Sequence, residues 1–447
     1  MVFQASDRVP EFCLQAGAAC FHPWPEKGFT MSHATNKAFA ALQSRNFRLY
    51  FTGQCFSLTG AWMQRLALVW LVLELTGSGG KMGLVELVNQ CPSFIVGVFA
   101  GIFLDRWNTL RILVAAQLCI MLHSLALAWL MISGNISYNA VLGLSFLLGI
   151  ITAVDLPARQ ASITTFIDHP SQLQSALSLQ SGSFNLARLA GPAIAGFIIK
   201  EGGVTACFVI NAVAATGVLC AYCLMRPAQK KRAPASQPVF QALGDGVAYI
   251  RSVPPIRLCI VWNYFFCFFA MSYIVLLSLY MKEALGGDAR HLGIMLGSVG
   301  LGALAGVFWL AAWVETVRLP LHIWRMQALM GLGLFGTVAL PDWRICVAWS
   351  ALTGFACVSA MVANNTLIQA LVDDDKRGRV VSIHVLGLLG FGPIGTYVAG
   401  KLADSTSVQM ALTVCATAVF CIGLAHGLRQ KVYDQHVPGI LENKRAQ

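Results

Sequence analysis

Charged residues are scarce in this chain, and their scarcity excludes an ordinary water-soluble protein. Of its 447 residues, 11% are charged and 57% are hydrophobic, whereas a soluble domain carries about 25% charged residues. So few charges cannot cover a surface that faces water. The mean hydropathy of +0.66 agrees, and it indicates that most of the surface faces lipid.

Motifs of several other protein classes are lacking as well. The sequence contains no nucleotide-binding P-loop and no H-E-x-x-H zinc motif. Cys220 and Cys223 form a C-x-x-C pair without a second pair or a histidine cluster, which favours a packing role over a redox or metal site. We therefore expect no enzyme activity, no cofactor and no metal.

Segments of alternating hydrophobicity are also missing, and a transmembrane barrel would need such segments of about 10 residues. Long apolar runs recur instead, and about 20 apolar residues suffice for one helix to cross the hydrocarbon core. We predict an all-α membrane protein with twelve transmembrane helices in two pseudo-symmetric six-helix bundles. The predicted spans are 47–74, 82–104, 110–132, 139–166, 174–199, 203–225, 256–281, 292–314, 322–340, 342–371, 379–402 and 406–428.

The first thirty residues contain no apolar run, so they do not predict a signal peptide. They include Pro10, Pro23 and Pro25, and a more ordinary start follows at Met31. Two interpretations stay open, a disordered tail or a natural start at Met31.

The formal net charge of +11 does not predict a nucleic-acid partner, because the basic residues are unevenly distributed. Most of the 31 Lys and Arg fall on segments that are cytoplasmic if both termini lie inside. Such an excess orients a membrane protein. We therefore predict cytoplasmic termini, with the lipid bilayer as the partner of most of the surface.

A basic, proline-containing stretch divides the chain near its middle. It begins at Arg226, and within it the segment 239–251 has the pattern of an amphipathic helix on the membrane surface. The predicted domains are a cytoplasmic tail at 1–45, a bundle at 46–226, a cytoplasmic linker at 227–255, a bundle at 256–429 and a cytoplasmic tail at 430–447.

The candidates for proton coupling and for the cavity are five charged residues within predicted spans: Arg65, Glu86, Asp155, Arg159 and Arg188. Charges at membrane depth are costly and usually face a cavity or a partner. We expect Arg65 to pair with Glu86, and competition between substrate and Glu86 for Arg65 would couple proton movement to transport. Asp155 and Arg159 are four residues apart and can pair. The alternatives are that Glu86 reaches towards the outer surface and that Asp155–Arg159 is a static ion pair.

Polar and aromatic residues supply the candidates for substrate contact. The second half has no acid or base deep within a span, so its amides and aromatic rings would suit a neutral or aromatic part of a substrate. The candidates are Trp62, Gln64, Gln90, Asn185, Asn263, Tyr264, Tyr273, Asn364 and Asn365.

Several stretches resemble the major facilitator superfamily, and more narrowly its bacterial branch of enterobactin-exporter-like, macrolide-efflux-like and transmembrane secretion effector proteins. The most specific is Asp-Leu-Pro-Ala-Arg-Gln, which begins at Asp155. The loop after Arg106 departs from the family pattern, because Asn108 stands where the family has glycine. The resemblance covers about 44–425, and its stretches are 60–65, 70–78, 101–106, 155–161, 185–192 and 377–380.

The resemblance implies gating roles for several residues of this chain. The Gly191-Pro192 pair with Gly196 recurs as Gly392-Pro393, at an offset of 201 residues, and internal repeats are a feature of transporter folds. Asp105 would dock on the start of the span at 379–402 and close the cytoplasmic side. The gating candidates are Asp105, Arg106, Gly191, Pro192, Gly196, Arg377 and Arg379.

The resemblance also implies a function. We expect a secondary active transporter of the bacterial inner membrane that acts as a monomer by alternating access. Export of a small organic molecule, such as a siderophore or a drug, in exchange for protons is favoured by the glycine–proline motif. The alternative is an importer of the same fold, because a fold does not set direction.

Overall fold

The computed structural model describes residues 39–106, 108–225 and 239–446. Side chains at 94–106, 239–240, 242–243 and 445–446 are not part of that description. Most of the predicted N-terminal tail and the first part of the linker, 227–238, therefore lie outside the described residues, as do the side chains of Asp105 and Arg106.

The described chain is helical almost throughout, as expected from its long apolar runs. The α-helices are α1 Arg45–Thr76, α2 Gly79–Arg106, α3 Thr109–Ile132, α4 Tyr138–Phe166, α5 Leu173–Leu224, α6 Val239–Ser252, α7 Pro254–Ala270, α8 Tyr273–Glu283, α9 Ala289–Trp313, α10 Leu319–Ala339, α11 Trp343–Leu371, α12 Arg377–Leu386, α13 Gly392–Ser405, α14 Val408–Gly427 and α15 Gln430–Ala446. A π-helical turn, Gly387–Phe391, joins α12 to α13. The prediction of an all-α membrane protein is confirmed.

The predicted spans fall on helical residues, but 256–281 is divided between α7 and α8 and 379–402 between α12 and α13, so the helices do not divide the chain into twelve. Within the described ranges, nine helical stretches are long and apolar enough to cross a membrane. Helix α5 contains two predicted spans, and it is broken at Gly203, whose φ of +74° favours glycine. Its 52 residues would extend about 78 Å if straight, more than twice the hydrocarbon thickness. The count of twelve stays a prediction.

Helix packing groups the first and second halves separately. In the first half α1 packs along α5 and α2 along α4, while in the second α11 packs against α9 and α10, and α10 against α14. Among the described residues, the most extensive contacts between the halves are those of α5 with α9 and of α2 with α13. We call these two contacts the seams. The exact bundle boundaries, 46–226 and 256–429, stay predictions.

Glycines bring the backbones close at both seams. At the α5–α9 seam, a Cβ on Gly293 would lie 2.7 Å from the carbonyl oxygen of Pro192. At the α2–α13 seam, a Cβ on Gly400 would lie 2.2 Å from the carbonyl oxygen of Gly79. Small residues allow membrane helices to approach this closely, so Gly196 and Gly400, which follow the two Gly-Pro pairs, belong to the contact between halves, whereas Gly395 packs on Phe268 of its own half.

A buried polar network fastens the helices of the first half. The Gln64 side-chain oxygen in α1 accepts hydrogen bonds from Ser124 of α3 (2.7 Å) and Asn211 of α5 (2.8 Å). The Gln64 amide also lies 3.3 Å from the His123 ring. Inside a membrane protein such groups must find partners on neighbouring helices. Gln64 therefore has a structural role in this conformation.

The second half has its own buried network, which holds the C-terminal helix. The His426 ring in α14 lies 2.9 Å from Gln327 of α10 and 2.7 Å from the Tyr433 hydroxyl of α15. Trp262 of α7 stacks on the same ring, with centroids 5.7 Å apart. The predicted tail at 430–447 thus forms a helix that is anchored to the second half.

The amphipathic segment predicted at 239–251 forms helix α6, and this helix packs on α12. Arg379 of α12 pairs with Asp245 of α6 at 3.1 Å. The Tyr249 hydroxyl accepts a hydrogen bond from the Asp373 backbone N–H at 3.2 Å. Charge pairing thus fastens α6 to the second half, and the position of this helix on the membrane surface stays a prediction.

Candidate functional site

A pocket lies between the halves, next to the Gly-Pro segment of α5. It encloses about 60 Å³ of open space, whereas ligand pockets commonly measure about 300–1,000 Å³. The pocket is therefore contracted, and a drug-sized substrate needs a wider form of it. Its lining consists of Trp62, Arg65, Leu66, Val69, Arg188, Pro192, Tyr273, Ile274, Leu296, Val299, Gly300, Ala303 and Val358.

The ion pair expected between α1 and α2 is present beside this pocket. Arg65 Nη2 lies 2.6 Å from Glu86 Oε1, with side-chain exposures of 40% and 20%. Gln90, one turn further along α2, donates to the same oxygen at 3.4 Å. The guanidinium also lies 5.3 Å from the centre of the Trp62 ring, where a cation is attracted by the π-system. Arg65 thus lines the pocket and also binds the carboxylate of Glu86, which does not line it.

Arg188 is the second cation of the pocket, and its surroundings differ. Its Nη2 donates to Asn185 Oδ1 at 2.9 Å, and Asn185 in turn donates to the Ser181 carbonyl. No carboxylate among the described side chains lies within ion-pair distance of Arg188. This guanidinium is therefore held in position by a neutral amide, and its charge is not balanced by a described neighbour.

The wall from the second half is mainly apolar. Tyr273, at the start of α8, is buried to 8% exposure and faces the same pocket as Arg65 and Arg188. Leu296 and Val358 complete this wall from α9 and α11. Two of the predicted contact residues, Trp62 and Tyr273, therefore line the pocket, and Gln90 and Asn185 hold its charged groups.

Four other candidates for substrate contact do not line this pocket: Gln64, Asn263, Tyr264 and Asn364. Asn263 and Asn364 are buried at 4% and 2% exposure. The Tyr264 hydroxyl donates to the Ile383 carbonyl, next to the π-turn, and its ring stacks on Phe391 with centroids 4.9 Å apart. Asn365 is half-buried on α11 and is also outside the lining. These side chains are engaged in packing here, so we do not assign them to the pocket.

Asp155 and Arg159 form an ion pair, and its surroundings bear on the two interpretations that the sequence left open, a static pair or proton coupling. Arg159 Nε donates to Asp155 Oδ2 at 2.6 Å, and Nη2 contacts the same oxygen. Asp155 is only 1% exposed, and the pair lies inside the first half beside Tyr50 and Tyr222. It does not line the pocket, so proton coupling at Asp155 has no support from this geometry.

Asp404 makes a contact between the halves that the sequence did not reveal. Its carboxylate, near the end of α13, accepts hydrogen bonds from Ser78 Oγ (2.7 Å) and from the backbone N–H groups of Gly79 (2.7 Å) and Gly80 (3.0 Å). The start of α2 carries unpaired N–H groups and a partial positive charge. Asp404 therefore caps a helix of the opposite half at the predicted outer side.

Two further contacts join the same outer ends. Lys200 of α5 pairs at 2.9 Å with Asp288, which also caps α9 through the His291 N–H. Lys282 Nζ donates to the Leu73 carbonyl at 3.4 Å. Burial raises the pKa of Asp288, but the hydrogen bonds from Lys200 and His291 outweigh burial and lower this pKa to about 2. We call these two contacts, together with that of Asp404, the outer links, since Asp404, Asp288 and Lys282 each reach across the halves.

The remaining gating candidates lie either on α5 or at the start of α12. Gly191 packs on α1, where an added Cβ would lie 2.5 Å from Trp62 Cβ, and Gly196 with Pro192 meets α9 at its seam. Arg377 pairs with Asp374 at 2.6 Å, and Arg379 binds α6 as described. Docking of Asp105 cannot be assigned, because its side chain lies outside the described residues.

The comparison with protein families agrees with this geometry. The model of the transmembrane secretion effector family matches residues 36–437. The chain belongs to this family of the major facilitator superfamily. It is therefore a membrane transporter and not an enzyme, as the sequence predicted.

Among individual proteins, the chain is 24% identical over 390 residues to the Staphyloferrin A transporter of Staphylococcus aureus, covering 83% of this chain and 95% of that protein. It is also 24% identical over 372 residues to the multidrug efflux pump Tap of Mycobacterium tuberculosis, covering 80% and 87%. A bacterial homologue of the iron transporter ferroportin, solved in an inward-facing state, has the same fold, with a TM-score of 0.65 at 14% identity over 87% of this chain and 98% of that one.

Proposed function

We propose that this transporter exports a small organic molecule in exchange for protons by alternating access. The observation that carries the proposal is the Arg65–Glu86 ion pair beside a pocket between halves that are joined at their outer ends. Names of relatives support efflux, since one is a multidrug efflux pump. The Gly-Pro segment of α5, which lies against both α1 and α9, suits a helix that slides during the exchange of conformations.

The outer links support loading from the cytoplasm. With Asp404, Asp288 and Lys282 bound across the halves, a substrate reaches the pocket from the inner side. Release then requires the outer links to break and the seams to separate, as in the rocking of two bundles about a midplane site. We propose a monomer in the bacterial inner membrane with both termini in the cytoplasm.

Glu86 is the proposed proton carrier. When it is ionised it holds Arg65 by a charge-assisted hydrogen bond at 2.6 Å. A proton on Glu86 removes that attraction and frees Arg65, so the occupancy of the proton site changes the electrostatics of the pocket. Asp155 is the other carboxylate at membrane depth among the described residues, and it is buried against Arg159 away from the pocket.

Everted membrane vesicles test the proposal. Respiration acidifies their lumen, and an exporter then takes substrate from the medium and releases luminal protons. We expect extracts of spent culture medium, fractionated by size and charge, to contain a fraction that causes proton release and accumulates inside the vesicles. Glu86→Gln should abolish the proton release, whereas the matched control Glu315→Gln, on an exposed loop, should not.

Two results would contradict the proposal. Accumulation that persists without a proton gradient would remove proton coupling. Uptake into respiring right-side-out vesicles, whose acidic side is the medium, without uptake into everted ones, would replace export by import.

A further inference from the structure

The charges around the pocket do not balance. Arg65 and Arg188 both line it, and Glu86 offsets only the charge of Arg65. The nearest ordered partner of Arg188 is a neutral amide oxygen, that of Asn185. One positive charge is therefore left over in the wall of a contracted, largely apolar pocket.

Such a charge needs a partner. Arginine stays protonated in proteins, so Arg188 cannot remove its charge by losing a proton. An unpaired charge at membrane depth is costly and typically marks a substrate or ion pathway. The planar guanidinium is also the group best suited to bind a carboxylate through two parallel hydrogen bonds.

The other side of the pocket limits the rest of the ligand. Tyr273, Leu296 and Val358 present a ring and two aliphatic side chains opposite the guanidinium groups, and no described carboxylate in that wall would attract a cation. The pocket thus offers a positive end on the first half and an apolar face on the second.

We propose that the substrate is an amphipathic organic anion, whose carboxylate binds Arg188 and whose apolar or aromatic part packs on Tyr273, Leu296 and Val358. This inference rests on the proposed function, because it concerns the cargo of the same pocket. Arg188 is the anchor, and the Arg65–Glu86 pair remains available for the proton.

Charge balance links this cargo to export. A monovalent anion on Arg188 brings the loaded pocket to zero charge while Glu86 is ionised, which lowers the cost of the crossing step. A proton on Glu86 would leave the loaded pocket with one positive charge, so the loaded pocket crosses at the lowest cost when Glu86 is ionised. The empty pocket keeps a positive charge, which an inside-negative membrane potential draws inwards.

Binding to purified protein tests the inference without transport. The probes are 2-naphthoate and its neutral isostere 2-naphthamide, measured by equilibrium dialysis with the protein in nanodiscs of zwitterionic lipid, so that no anionic headgroup competes. A charge-assisted pair predicts that the wild type binds naphthoate about 10- to 100-fold more tightly than naphthamide. In Arg188→Gln this preference should fall to within about threefold, with naphthamide affinity unchanged.

Two variants keep the test sharp. Arg188→Lys retains a point charge and should keep part of the preference, which also shows that position 188 tolerates replacement. Arg344→Gln removes an exposed arginine at the start of α11 and should leave the preference intact. Equal binding of the two probes by the wild type, or an undiminished preference in Arg188→Gln, would overturn the inference.

The two proposals fail in different ways. Proton-driven export of a neutral or cationic compound, without a preference for naphthoate, would reject the anion site and leave the exporter standing. A preference for naphthoate that depends on Arg188, without proton release in vesicles, would reject the coupling and leave the anion site standing.

Discussion

The charged residues that we assign to function lie at different depths in the two halves of the transporter. The first half carries Arg65, Glu86 and Arg188 at the pocket, whereas the second half contributes apolar side chains there. At the outer ends the second half supplies Asp404, Asp288 and Lys282 to the outer links. In the proposed mechanism, the charges that bind substrate and couple protons thus belong to the first half, while the charges that close the outer side belong to the second.

This difference has a physical reason. A charge at the outer end keeps access to water and costs little, so it can make and break contacts as the halves move. A charge at membrane depth is retained only with a partner or a function. Substitutions of the charged pocket residues in the first half should therefore be poorly tolerated. Substitutions at the outer ends of the second half should be tolerated better and should alter closure by degrees.

The largest effect is expected for a charge of the first half that we do not assign to the pocket. Asp155→Asn leaves Arg159 buried without its carboxylate, and breaking a buried pair costs about 3–5 kcal/mol. We expect a large loss of thermal stability, measured by the melting of purified protein, with proton coupling per folded molecule retained. The double variant Asp155→Asn with Arg159→Gln should recover much of the stability. A loss of coupling in that stable double variant would return Asp155 to the proton pathway.

A seam residue should give the next effect. Gly400→Ala places a methyl group against the Gly79 carbonyl, and overpacking of this kind costs about 1–3 kcal/mol. We expect the outer side to open more often, seen as faster labelling of a cysteine introduced at Ala403, which is buried at 7% exposure in the closed form. Gly217→Ala is the matched control, because nothing lies within 4 Å of its added Cβ. Equal labelling in the two variants would show that the seam does not hold the outer side closed.

Asp404→Asn should have a smaller effect on the same equilibrium. An asparagine oxygen can still accept a hydrogen bond from α2, but the attraction between the negative charge and the helix N-terminus, about 0.3–1 kcal/mol at an exposed position, is lost. Labelling of the Ala403 cysteine should rise about two- to fivefold at low salt and less at high salt. The control is Asp342→Asn, an N-cap of α11 within the second half. An effect from Asp342→Asn as large as from Asp404→Asn would contradict a role for charge across the halves.

The smallest effect concerns pH. The closed form holds the pKa of Asp288 at about 2, below its ordinary 3.8. Its contribution to closure is therefore fully present above about pH 4 and is lost only as pH falls through 2. Labelling of the outer side should not change through Asp288 between pH 8 and pH 5. A rise over that range that Asp288→Asn abolishes would show that the Lys200 contact is weaker than the geometry indicates.

Much of the site could be predicted from single residues. A charge within a hydrophobic run stands out, so the sequence identifies Arg65, Glu86 and Arg188. The first two lie in the outer part of consecutive spans, α1 and α2, so they could be expected to pair. The amides and Tyr264 were harder to assign, because a polar residue on a membrane helix can face a cavity or a neighbouring helix. Gln64 illustrates this: its side chain reaches α3 and α5, and nothing in its local sequence distinguishes the two directions.

The outer links could not be predicted, for a different reason. Asp404, Asp288 and Lys282 lie at helix ends, where charged residues are common in any membrane protein. Their partners are more than 80 residues away along the chain. Three of the partner groups, the N–H groups of Gly79 and Gly80 and the carbonyl of Leu73, are backbone atoms that any sequence would supply.

The sequence by itself determined that the surface of this protein faces lipid, that the protein is helical and which charged residues lie at membrane depth. These features could be read from the sequence because the cost of placing polar groups in lipid acts on each residue separately. The tertiary structure alone decided which charges share a pocket, which form a static pair and which join the halves. Those outcomes depend on how helices cross, and crossing is set by contacts between distant residues such as Gly79 and Gly400.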